Sequence, residues 1–318
     1  MTTMPQNEIE ERYRWISPIL KGEISIKQLL KVCPFSERAI KYWLANFRQN
    51  GFAGLANQSR RPQTCPWQTP DDIYQKVVGM RKDYHIGGKK IFWKLQKQGI
   101  EISKETVNRI LHKEGLVRRY RTKRKPEEIY QPEKFVVPGQ MVEVDVKYGV
   151  RLDRNRWWYQ FTAKDRASCW RLLRGFDEQD NYYALRFLEM LLQRAPFGIK
   201  AIKTDNGSIF TNRASGYTKS TDPMNPRLHA FDLKCIANTV THYLIDPGKP
   251  QQQGAVENSH SLDKRIFYKY LPRPKNLKEY QYKLCLWNMW YNDLENCALN
   301  GLTPNEYLYL WRVQNVLC

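Results

Sequence analysis

Met141-Val-Glu-Val-Asp145-Val-Lys-Tyr148 is the stretch that decides the fold. Val142, Val144 and Val146 alternate with Glu143, Asp145 and Lys147, so an extended chain puts the valines on one face and the charges on the other. Downstream, Trp157, Tyr159 and Phe161, and then Cys169 to Phe176, read as the second and third strands of a meander. From about Asp180 to Arg194 the period turns helical, with Ala184, Leu185, Leu188, Leu191 and Leu192 inward. Ile199 to Thr204 is a buried strand ending at Asp205, and the range 213–238 reads as a surface insertion rich in Gly, Ser, Pro and Asn near its start. A strand at Thr241 to Ile245, the loop Asp246 to Gly254 and a helix from Ala255 to about Tyr270 follow. Three strands, helix, strand, helix, strand, helix is an α/β layer arrangement. The tail from Leu277 is helical, with Thr303-Pro304-Asn305-Glu306 capping a last helix.

Ahead of this core the pattern is all-α. Ser25 and Gln28 stand at capping-box spacing, and Ser36 caps a helix whose Ile40, Trp43, Leu44 and Phe47 form one stripe. Arg38, Lys41 and Arg48 fall outside the stripe and are candidate DNA contacts, the outline of a helix-turn-helix with a basic outer face. A generic three-helix bundle would give the same stripe, and the basic face favours the DNA reading. A Pro-punctuated segment carries Arg60 and Arg61, suited to a narrow minor groove or to a solvated linker. Thr69-Pro70-Asp71-Asp72 opens a second helical unit, with Thr69 as N-cap and Pro70 first in the helix. Ser103 caps its last helix, which keeps Val107, Ile110 and Leu111 inward and leaves Lys104, Asn108 and Arg109 outside as further DNA candidates. The run from Arg118 to Lys125 holds Arg118, Arg119, Arg121, Lys123, Arg124 and Lys125, placed to lie along phosphates. The expected division is 1–58 and 69–117 as helical DNA-binding domains, 59–68 and 118–138 as basic linkers, 139–275 as the core, and 276–318 as a helical tail.

Composition agrees with a nucleic-acid partner. Lys and Arg number 52 against 32 Asp and Glu, a net charge of +20 over 318 residues, and each phosphate so neutralised releases counterions. A membrane surface would call for an amphipathic basic helix, a lipidation signal or a long apolar run, and none is evident, so no membrane partner is expected. The first eleven residues are polar, and the expected location is cytoplasmic, at the nucleoid. The seven cysteines are scattered without zinc-ligand spacing and read as reduced thiols.

Three acids stand where elements change. Asp145 lies on the polar side of a strand, Asp205 ends a strand in Ile202-Lys-Thr-Asp205-Asn-Gly-Ser208, and Glu257 opens a helix in Gln251-Gln-Gln-Gly-Ala-Val-Glu257-Asn258. Gathered in one cleft they could hold two Mg²⁺ ions, which take oxygen ligands and suit phosphodiester exchange. Gly207 and Gly254 would let a phosphate approach closely. Asp246 and Asp263 are nearby alternatives to Glu257, without its Gly-Ala-Val-Glu context.

With these motifs, Tyr291-Asn-Asp293 and Gly301-Leu-Thr-Pro-Asn-Glu-Tyr-Leu308, nearly the whole chain resembles the integrase/transposase superfamily with a DDE-type core. It looks most like insertion-sequence transposases of the IS3/IS481 kind. The resemblance implies a multidomain protein, with helix-turn-helix modules before a ribonuclease H-like, retroviral-integrase-like α/β core. It implies hydrolysis at transposon ends that exposes a 3′-hydroxyl, then attack of that hydroxyl on target DNA. Asp145, Asp205 and Glu257 would be catalytic and would hold Mg²⁺, with Mn²⁺ able to substitute. The implied partners are double-stranded DNA, both ends and target, and further copies of the chain as a homodimer or homotetramer. Asn206, Lys249, Asn258, His260 and Lys264 are candidates for orienting DNA. Two features depart from the family: Asp205 and Glu257 lie 52 positions apart, longer than usual, and Leu294-Glu-Asn-Cys297 replaces an Arg-Pro-His element. The competing classes are a transposase-derived DNA-binding regulator without strand transfer and, last, a structure-selective nuclease.

Overall fold

The computed structural model describes residues 7–57, 68–117, 134–212 and 228–316. Arg60, Arg61, Arg118, Arg119, Arg121, Lys123, Arg124 and Lys125 lie outside the described residues. The chain forms two compact units, residues 1–68 and 69–318.

The first unit holds α1 (Glu8–Leu20), α2 (Ile26–Leu29) and α3 (Glu37–Asn50). Each begins on a side-chain cap that satisfies an otherwise orphaned N–H: Asn7 for α1, the Ser25–Gln28 capping box for α2, and Ser36 for α3. Ile16, Leu29, Ile40, Trp43, Leu44 and Leu55 make the core, with Phe47 half-buried at its margin.

The second unit begins with α4 (Asp71–Tyr84), α5 (Gly88–Lys97) and α6 (Lys104–Lys113). Ser103 caps α6 as expected, but α4 starts at Asp71 with Pro70 outside it, so the predicted proline-first start is one residue early. The core then runs β1 (Val142–Arg151), β2 (Trp157–Asp165), β3 (Arg171–Phe176), α7 (Asn181–Arg194), β4 (Ala201–Thr204), α8 (Ala230–Ala237), β5 (Thr241–Leu244) and α9 (Gly254–Leu262). A π-helical stretch, Asp263–Tyr268, extends α9, and α10 (Leu277–Asn292) and α11 (Pro304–Val316) follow.

The sheet order is β3-β2-β1-β4-β5. β1, β2 and β3 pair antiparallel, while β4 and β5 run parallel to β1. The valine face of β1 meets Phe187, Leu188 and Leu191 of α7 and Phe231 and Cys235 of α8. The third strand starts at Arg171 rather than Cys169, which sits in a left-handed turn at φ 57°. The predicted insertion 213–238 also needs correction, because residues 230–237 form α8 and bury Phe231 and Cys235 in the main core.

The tail and the second helical module close on this core. Tyr280, Leu284 and Trp287 of α10 pack on Val150, Trp158 and Leu173, covering the charged face of the sheet. Leu294, Leu262 and Trp290 share a cluster with Val77, Ile91, Leu95 and Leu111. Lys97 is ion-paired to Glu306, and Lys94 lies 3.6 Å from Glu295. Gly301, at φ 96°, sits where a Cβ would fall 2.7 Å from the Trp93 ring. The ranges 69–117, 139–275 and 276–318, expected as separate domains, therefore belong to one compact unit. No helix among the described residues is long and apolar enough to cross a membrane.

Candidate active site

Asp145 stands on β1 opposite Thr162 of β2, its side chain one-fifth exposed. Its carboxylate accepts the Val146 N–H at 2.8 Å and lies 3.3 Å from His260 Nδ1. Asp205 follows the last residue of β4, and its Oδ1 accepts the Gly207 N–H at 3.0 Å. A Cβ on Gly207 would lie 2.9 Å from that same oxygen, so a larger residue there would displace the Asp205 carboxylate. Glu257 occupies the first turn of α9 and is exposed.

The start of α9 is pinned to the sheet by β1 and β2. Glu143, fully buried, accepts the Val256 N–H at 2.9 Å and pairs with Arg166 at 2.6 Å. Lys164 Nζ donates to the Ala255 carbonyl at 2.9 Å. A charged residue on the polar side of β1 thus orients the helix that carries Glu257.

Burial, and next the negative field of Asp205, push the Asp145 carboxyl up to about 7; Glu257 adds to the rise, against the Val146 hydrogen bond and Lys147. Asp205 and Glu257 thus both act electrostatically on Asp145. Among the described residues no group of three or more His, Cys, Asp or Glu is close enough to hold a metal ion. The donor chemistry nevertheless fits a hard divalent cation, because mutually repelling carboxylates are relieved by positive charge and supply oxygen ligands.

His260 joins the two sides of this site. Burial, followed by Lys147, lowers its pKa to about 3, so the imidazole is neutral. The hydrogen-bond network assigns its proton to Nδ1, facing Asp145, while Nε2 accepts from Thr162 Oγ1 at 3.0 Å. Thr162 in turn accepts from Gln160 Nε2 at 3.0 Å. Behind these lies Asp263, fully buried and bonded by Lys147 (2.9 Å), Gln160 (2.9 Å), Arg171 (2.7 Å) and Trp287 (2.7 Å). Burial opposes its charge, but Arg171 and Lys147 hold its carboxyl well below the usual range. Asp263 is thereby committed to the fold, and Asp246 accepts from Lys249 at 3.1 Å and Gln252 at 2.9 Å. A second relay supports Asp205. His242 sits between Asp232 (2.6 Å) and Thr204 (2.8 Å), and Thr204 donates to the Asp205 carbonyl at 3.0 Å. The order Thr-His-Asp is that of a nucleophile triad, yet Thr204 is fully buried and acts on the Asp205 turn.

The remaining predicted contacts are dispersed. Arg38, Lys41 and Arg48 are exposed on α3, with Lys41 paired to Glu37 at 2.7 Å. Lys104 and Arg109 are exposed on α6, but Asn108 turns toward Gly88. Asn258 and Lys264 are exposed along α9 and its extension, and the space over Gly254 is open. Asn206 donates to the Ile245 carbonyl at 2.9 Å, so its amide braces the loop. The Asp263 and His242 networks escaped sequence reading; the only available signal was that Lys147 shares the polar face of Asp145.

Residues 137–250 match the integrase core domain. Residues 11–63 match a helix-turn-helix domain and 39–111 a homeodomain-like domain. Residues 137–250 are thus an integrase core domain, preceded by helix-turn-helix domains. The integrase core match spans Asp145 and Asp205 and ends before Glu257. No curated protein matches the chain. Among solved structures, it is similar to a simian T-cell lymphotropic virus intasome in complex with PP2A regulatory subunit B56 gamma. There the identity is 16%, covering 73% of this chain and 74% of the other, with a TM-score of 0.42. The catalytic core domain of BIV integrase is 20% identical over 56% of this chain and 99% of its own, at a TM-score of 0.41. The HTLV-2 integrase catalytic core domain in complex with magnesium is 16% identical over 55% and 99%, at 0.40. The core is an integrase-type, ribonuclease H-like α/β layer behind helix-turn-helix modules and followed by C-terminal helices.

Proposed function

We propose that this integrase core, of the insertion-sequence transposase kind, binds the ends of a mobile DNA element, cleaves them and transfers the exposed strand to target DNA. The observation that carries the reading is the Asp145 carboxyl, lifted to about 7 by burial and by the fields of Asp205 and Glu257. Such a site gains stability when a cation joins it. Asp145, Asp205 and Glu257 would hold Mg²⁺, or Mn²⁺ in its place, which supplies an activated oxygen nucleophile and neutralises charge on the phosphoryl oxygens. His260 keeps the Asp145 carboxylate in place, and the Asp232–His242–Thr204 relay does the same for the Asp205 turn. Asn258 and Lys264, exposed on the helical run that carries Glu257, and Lys249, exposed in the loop before it, would orient DNA. Arg38, Lys41, Arg48, Lys104 and Arg109 would meet duplex DNA from the helical modules. Two ends must be held together, so the working form is a homodimer or homotetramer on DNA, at the bacterial nucleoid.

The test uses the purified full chain and labelled duplexes carrying the DNA that flanks its gene. Wild type is expected to nick and join these ends in Mg²⁺ and not in EDTA. Asp145→Asn, Asp205→Asn and Glu257→Gln should each abolish both steps while retaining the gel shift. Strand transfer at wild-type rate by any one variant removes that acid from the site. Binding without cleavage by the wild type would mark a transposase-derived DNA-binding regulator instead.

A further inference from the structure

The second helical module and the core leave a cleft of ≈ 690 Å³ between them. One wall is the α4–α5 turn with the start of α5, and the other is the π-helical extension of α9. Lys82, Lys89 and Lys90 line the first wall and Arg265 the second, with no Asp or Glu among the described lining residues. Arg81 adds charge while its guanidinium is spent on the carbonyls of His85, Ile86 and Leu116, which hold the turn in shape. His85 stacks on Tyr270 across the gap, centroids 4.0 Å apart and planes at 11°, tying the two walls together.

No carboxylate among the described lining residues offsets these cations. Lys89 rests over the Trp93 ring at 4.8 Å, and burial holds the Lys90 ammonium down to about 8. No side chain among the described residues caps α5, and the space over Gly87 is open; the Lys90 N–H is taken by the Gly87 carbonyl at 3.0 Å, which leaves the Gly88 and Lys89 N–H groups at the open end of the helix. Cations on two facing walls suit a row of phosphates better than a single one.

Position along α9 says which row. Arg265 lies eight residues beyond Glu257 on the same continuous helical run, roughly 12 Å at ~1.5 Å per residue. A nucleic-acid strand rising ~3.4 Å per nucleotide covers that in about four steps. Val117, the residue before the basic run Arg118–Lys125, also lines the cleft.

We propose that this cleft is a second DNA site, a clamp for the sugar-phosphate backbone about four nucleotides from the acids, reading no bases. It rests on the reading that the chain acts on DNA.

Lys82→Ala/Lys89→Ala/Arg265→Ala in the full chain tests it, beside a charge-matched control, Arg154→Ala/Arg156→Ala/Lys278→Ala, whose residues are exposed outside the cleft. Affinity for a 30-base-pair end duplex and for one of unrelated sequence is followed by fluorescence anisotropy against salt. The cleft variant should lose affinity about equally on both duplexes. Its log–log salt slope should flatten by about 2.7, three contacts at ~0.9 each, while the control flattens by less than one. Equal flattening in both variants would overturn the clamp. Wild-type chain treated with an amine-acetylating reagent gives a readout independent of folding: the duplex should protect Lys82 and Lys89 and not Lys278, and no protection at Lys82 and Lys89 also overturns it. Cleavage by wild type is scored separately. A chain that does not cut DNA yet shows the protection defeats the proposed function alone.

Discussion

Replacing Asp145 with asparagine should stabilise the metal-free protein at alkaline pH while destroying its activity. The native carboxyl titrates near 7 and an unfolded one near 4, so the native state holds the proton more tightly. The sign follows: stability falls as pH rises from about 4 to about 7, and the full penalty is present above 7. At ~1.4 kcal/mol per pH unit the whole interval is worth about 4 kcal/mol at pH 8, and at pH 5 only about 1.5 kcal/mol. One-fifth of the side chain is exposed, and solvent relaxation there reduces these to about 2 and about 0.7 kcal/mol. Asparagine keeps an oxygen for the Val146 N–H and carries no charge toward Asp205 or Glu257. The assay is urea unfolding in EDTA at pH 5 and pH 8, wild type against Asp145→Asn. Magnesium at pH 8 should raise the wild-type midpoint and leave the variant unmoved, since a ligand stabilises only the state that binds it. An equal gain at both pH values, or none at pH 8, would refute the electrostatic argument.

Asp263→Asn should cost about 3–5 kcal/mol, because it strands buried Arg171 and Lys147 without their shared carboxylate; a loss under about 1 kcal/mol in the same urea assay would show that the pairs are not needed. Gly139→Ala should be worse than Gly248→Ala by at least about 1 kcal/mol. Both sit at positive φ, 79° and 76°, but a Cβ on Gly139 would strike the Gly198 carbonyl, whereas Gly248 faces open space. Matching midpoints for the two variants would contradict this.

The valines of β1 and the caps Ser25, Ser36 and Ser103 were legible because their signals are local: a period of two, or an oxygen three residues before an orphan N–H. The helix between the fourth and fifth strands was expected in the element order but its residues were read as part of the insertion 213–238, because an eight-residue helix with two buried residues carries too short a pattern to rise above a turn-rich neighbourhood. Asp263 looked like a spare ligand for the same reason in reverse. Its partners Lys147, Gln160 and Arg171 lie 116, 103 and 92 residues away, and no periodicity links them to it.

The sequence by itself determined the α/β order, the helical modules, the basic charge and the three acids to be weighed, since each is written in neighbouring residues or in composition. Tertiary structure alone decided that the second module shares a core with the tail and that Asp205 and Glu257 raise the Asp145 carboxyl. It also decided that two histidines support the site from strands and helices far apart in the chain. Burial and Coulomb interaction depend on distances in space, and those exist only after the sheet has closed.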